Sequence, residues 1–121
     1  MVKITKKTPE QKTVTETQTY QMKDHGKIVA ESVTQNEVEV PAGLTEALNP
    51  STAQGAAFCE VEVDASYTHN LGNYKSAKMG VALRVPCKHV EVDGVYDWTK
   101  AWIEKRISDL AGELIAQNPD A

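Results

Sequence analysis

A chain of 121 residues with 40% hydrophobic and 25% charged residues has the make-up of one soluble globular domain, 1–121. A formal net charge of −4 gives it no whole-chain attraction for polyanions or anionic membranes, so any such site must be a local basic patch. No apolar stretch approaches the roughly 20 residues that a membrane-spanning helix needs. The basic opening MVKITKKTPEQK lacks the apolar run of a secretory signal, so a cytoplasmic protein is the expectation. Two cysteines are too few for a disulfide scaffold.

Residues 1–12 are a lysine-rich segment. The run Thr13 to Met22 follows, rich in β-branched residues, with Val14, Tyr20 and Met22 at one parity. Asp24-His25-Gly26 has the composition of a tight turn. The extended pattern resumes at Lys27 and runs through Val33 toward Val38 and Val40, which predicts an antiparallel hairpin. Residues 41–57, PAGLTEALNPSTAQGAA, contain two prolines and two glycines and are expected to be an irregular connection, with one helical turn at Leu44–Leu48.

Period-two alternation is clearest in the next two segments. From Phe58 to Tyr67 the odd positions are Cys59, Val61, Val63, Ala65 and Tyr67, and Glu60, Glu62 and Asp64 lie between them. From Ser76 to Cys87 the odd positions are Ala77, Met79, Val81, Leu83, Val85 and Cys87, with Lys78 and Arg84 among the even ones. Such alternation marks half-buried strands. Paired as a hairpin, they set an acidic outer row beside a basic one, which favours that register. Pro86 is expected to end the second strand. Both cysteines fall on the apolar side, where free thiols behave as small hydrophobes.

The last third reads as a helix capped by Asp93 or Asp97. Ile103, Ile107, Leu110 and Leu114 keep the three-four rhythm of one helix face, and Asn118-Pro119 ends it. Trp98 and Trp102 fit that helix as packing residues. The fold class is therefore α+β, an antiparallel sheet of about four strands packed on one long C-terminal helix, with the other sheet face open.

An enzyme is not expected. The sequence has no phosphate-binding glycine loop, HExxH, CxxC or GxSxG. His25, His69 and His89 lack ligand spacing and read as surface residues, so neither a metal nor a cofactor is implied. The stretch His69 to Lys78, HNLGNYKSAK, reads as the loop between the two alternating strands and carries more chemistry than a turn requires. Gly72 and the asparagines suit left-handed backbone. Two tyrosines, a histidine and two lysines at the same end are what stacking on unpaired bases and neutralising phosphates would use. The candidate nucleic-acid-binding residues are Tyr67, His69 and Tyr74 for stacking, Lys75, Lys78 and Arg84 for phosphate, and Asn70 and Asn73 for polar contacts.

The phrase Tyr67-x-x-Asn70-Leu71-Gly72-Asn73-Tyr74-x-Ser76-x-Lys78, running into Val81-x-Leu83-x-Val85-Pro86-Cys87, resembles one found in small uncharacterised proteins of phages and prophages. The resemblance covers roughly the last 60 residues and implies a phage-type origin, with the host cytoplasm as location. Strands followed by one C-terminal helix are also similar in layout to the coactivator-type single-stranded-DNA-binding domains, which act as dimers. The expected function is that of a small accessory protein binding single-stranded nucleic acid, with a possible homodimer from exposed sheet edges. The alternatives are a protein-interaction module or inhibitor of a host or phage protein, and a structural virion component.

Overall fold

The computed structural model describes residues 13–47 and 59–118. Four strands, β1 (Thr13–Asp24), β2 (Lys27–Glu39), β3 (Cys59–Gly72) and β4 (Lys75–Cys87), form one sheet in the order β2-β1-β4-β3 with every neighbour antiparallel. A 3-10 turn, His89–Glu91, leads into the long helix α1 (Val92–Gln117). The α+β architecture matches the expectation: a four-stranded antiparallel sheet against one long C-terminal helix. Each hairpin is local, and the long-range step is the β1–β4 pairing that joins the two hairpins along their inner strands.

Alternation decides the faces. The odd residues of β3 and β4 pair across the ladder, Val61 with Val85 and Val63 with Leu83, and point at α1. The even residues of β1 share that face, because Glu16 pairs with Leu83 and Tyr20 with Met79. The helix returns Val95, Thr99, Ile103, Leu110 and Leu114 to the core. Thr99 is tolerated there because its hydroxyl donates to the Val95 carbonyl at 2.7 Å. Cys87 is buried and Cys59 half-buried; both are free thiols, directly opposite one another with Sγ atoms 3.6 Å apart. Burial, with Cys59 beside it, pushes the Cys87 thiol up to about 11.

Cover is uneven, since α1 lies over β3 and β4. β1 joins the core through Val14 and meets the helix again at one polar cluster. Glu16, only 1% exposed, accepts from Arg106 Nε at 2.7 Å, from Gln18 Nε2 at 3.0 Å and from Asn36 Nδ2 at 3.2 Å. Burial pushes this carboxyl up, but those donors and the Arg106 charge outweigh it, and the net shift is downward.

Several boundaries differ from the sequence expectation. HNLGNYKSAK is mostly strand: β3 continues to Gly72, β4 begins at Lys75, and the turn is Asn73-Tyr74. Pro86 does mark the end of β4, whose last residue is Cys87, and it stands opposite Glu60. The β1–β4 ladder stops at Leu83, so β4 has an open side where the prolyl nitrogen would otherwise break a bond. Helix α1 starts at Val92, without Asp93 or Asp97 as its cap. Glu91 takes the organising role, its carboxylate accepting from the Lys88 and Glu46 amides and the Thr45 hydroxyl. Leu44 to Ala47 is turn and bend, with no helical turn. The rest of the expected irregular connection, 48–57, and the basic segment 1–12 lie outside the described residues. Asn118 closes the helix as expected, its side chain donating to the Leu114 carbonyl at 3.0 Å.

Candidate nucleic-acid interface

The strand order brings both hairpin turns to one end of the sheet. Asp24 of β1 has Lys27 opposite it on one side and Lys75 on the other. The His25 amide donates to the Tyr74 carbonyl at 2.8 Å, and the two rings sit 5.2 Å apart, tilted by 40°. The turns are thus fastened to each other.

Both turns use left-handed backbone. His25 and Gly26 have φ of 54° and 81°, and Asn73 and Tyr74 have 54° and 63°. These are the paired positive values of the tight turns that suit strand twist. Asparagine and glycine fill such positions readily, but a tyrosine there is held against its steric preference. Tyr74 is also 82% exposed. Turn geometry alone would select a different residue.

Four lysines share this end of the sheet. Lys23 and Lys78 project from the face away from the helix, and Lys27 and Lys75 flank Asp24 at the rim. Among the described residues, none of these four lysines forms an ion pair; the local pair is Asp24 with His25. The end therefore carries an excess of positive charge on a chain that is negative overall.

The structure divides the residues singled out in the sequence. Tyr74, Lys75 and Lys78 belong to this end. Asn73 belongs to it as well, as a turn residue. Asn70 is occupied in bracing the turn, its Oδ1 accepting from the Gly72 amide at 2.8 Å, where Leu71 bulges from the ladder. Tyr67 and His69 stand on the helix face of β3, half-buried, with stacked rings 6.2 Å apart and the Tyr67 hydroxyl 3.5 Å from His69 Nδ1. His69 is thus not a surface histidine, and its Nε2 is buried without a hydrogen-bond partner among the described residues. The parity of Tyr67 already marked it for that face. Arg84 lies nine residues along β4 from Lys75, about 30 Å at strand rise. It is paired there with Glu62 at 3.2 Å and Glu60 at 3.7 Å. The acidic row does pair with Arg84, but Lys78 faces Thr68 and forms no ion pair among the described residues.

Lys23, His25 and Lys27 were missed in the sequence. The phrase KDHGK was legible as a turn, but its position beside Asn73-Tyr74 depends on the β1–β4 pairing, which no local pattern encodes. At the far end of the open face, a shallow concavity of about 500 Å³ is lined by threonines of β1, Gln35, Ala82 and the Glu62–Arg84 pair. No group of three metal-ligating side chains occurs among the described residues, and no helix of the described residues is long and apolar enough to cross a membrane.

No family model, curated protein or solved structure matches this chain.

Proposed function

We propose that this is a small non-enzymatic accessory protein, of the phage type its strand phrase resembles, that binds single-stranded nucleic acid at the turn end of its sheet. One observation carries the reading: an exposed tyrosine, held in left-handed backbone, shares the turn end with four lysines that form no ion pair among the described residues. An open ring accepts a base by stacking, and the lysines answer the phosphates on either side of it. Stacking is sequence-tolerant, since every base has a π-face, so little base preference is expected. The contact set is Tyr74, His25, Lys23, Lys27, Lys75 and Lys78. Tyr67, His69 and Arg84 fall outside it.

The test is a titration of fluorescent single-stranded oligonucleotide at 20 mM and 200 mM salt. Binding should weaken steeply with salt, with a log–log slope set by the number of phosphates neutralised. Tyr74→Ala should cost about 1–3 kcal/mol of affinity while leaving that slope unchanged. Lys75→Ala with Lys78→Ala should flatten it. No binding at the lower salt would remove the reading.

A further inference from the structure

Strand β2 is the outer edge of the sheet, and residues 27–37 are exposed along its whole length on both faces. Ile28, Val29 and Val33 are 50%, 57% and 68% exposed. A long flat edge with apolar side chains invites another strand. The charges on this one are ordered: Lys27 sits at the turn end, and Glu37 and Glu39 sit at the other.

That order selects the partner. We propose that β2 pairs antiparallel with β2 of a second copy, centred on Val33, to make one continuous eight-stranded sheet. Residues opposite each other in an antiparallel pair share a face, so the two positions of any facing pair must add to an even number. A sum of 66 sets Val33 against Val33, Ser32 against Thr34, Glu31 against Gln35 and Ala30 against Asn36. Sums of 62 or 68 oppose acid to acid, at Glu31 with itself or with Glu37. A sum of 64 sets Glu31 against Val33. Of these registers, the one centred on Val33 opposes no two acids and sets Val33 against itself, with Ala30 against Asn36 and Val29 against Glu37 as its unlike pairs.

Beyond Ala30 the ladder with β1 is bulged, so the pairing there is looser. The register still lays the Lys27 end of each copy alongside Glu37 and Glu39 of the other. Lysines and glutamates on an edge usually discourage pairing. Here the two-fold axis turns them into two complementary clusters. That axis runs perpendicular to the sheet, so both helices lie on the same face and the two turn ends point in opposite directions.

The proposal is independent of nucleic-acid binding, and its readout is mass. Sedimentation equilibrium on the full chain should give twice 13.3 kDa at micromolar concentration. Val33→Lys touches no core residue and should raise the dissociation constant tenfold or more while circular dichroism stays unchanged. Lys27→Glu should weaken the dimer, and adding Glu37→Lys with Glu39→Lys should restore it, because the clusters re-form with signs exchanged. A chain that stays monomeric at every concentration overturns the proposal, as would be seen if the edge served a strand of another protein. A dimer indifferent to Val33→Lys overturns it too, and failure of the charge exchange to rescue overturns the register.

Discussion

The two hairpins of this sheet have similar length and opposite circumstances. β3 and β4 lie beneath α1, and Val81, Leu83, Val85 and Cys87 are almost wholly removed from water. β1 and β2 carry no helix of their own, and β2 buries no side chain. Apolar area supplies the cohesion of the first hairpin. The second is held by backbone pairing with β4, by Val14 and Val38 at the margin of the core, and by the cluster at Glu16. What differs is not strand propensity, since threonine and valine favour β1 and β2 as much as β3 and β4, but whether anything lies over them.

The largest effect that would break this contrast comes from the covered half. Ile103→Ala removes a side chain that is 1% exposed, and should lower the unfolding free energy by about 3–4 kcal/mol in a urea titration. Next is the tie between the halves. Arg106→Ala leaves a buried carboxylate without its charge partner, at a cost of about 2–3 kcal/mol, reduced from the range for buried pairs because Arg106 is partly exposed. The same tie sets a pH response. Glu16 has a folded pKa below its unfolded value, so its contribution is complete above the ordinary carboxylate range, near pH 4.3, and is lost as pH falls through the folded value. Stability should therefore hold from pH 7 to 5 and decline below about 4, and Arg106→Ala should flatten that decline.

A smaller change sharpens the contrast at the turn end. Tyr74→Gly relieves left-handed strain and should stabilise the fold by about 1 kcal/mol while weakening oligonucleotide binding. Opposite signs in the two measurements would separate a residue kept for function from one kept for the turn. Smallest of all, Val33→Ser in the uncovered strand should shift unfolding of the monomer by less than about 0.5 kcal/mol.

How much of this could be read in advance follows the range of the physics. Alternation from Cys59 to Cys87 and the three-four rhythm from Ile103 to Leu114 are local consequences of burial, and they located the strands, the helix and the buried parity of Tyr67. The Arg84–Glu62 pair was legible for the same reason. The extent of β3 and β4 was not, because glycine and asparagine in HNLGNYKSAK suggested a long loop where only two residues turn. The site was half legible. Tyr74, Lys75 and Lys78 are one phrase, but Lys23, His25 and Lys27 join them through a pairing between strands some 50 residues apart. The Glu16–Arg106 tie spans 90 positions and leaves no pattern in either neighbourhood.

The order β2-β1-β4-β3 also dictates a timetable for the nascent polypeptide. β1 leaves the ribosome early, yet its inner neighbour is the last strand made, and the helix that closes the core comes later still. Until β4 is made the first hairpin waits without its inner neighbour, and pairing across so wide a sequence gap is slow. Its threonines and glutamines, polar and able to take extended backbone, keep that waiting hairpin hydrated. A slow-translating stretch downstream of β2 would lengthen the wait, and misassembly should rise with it.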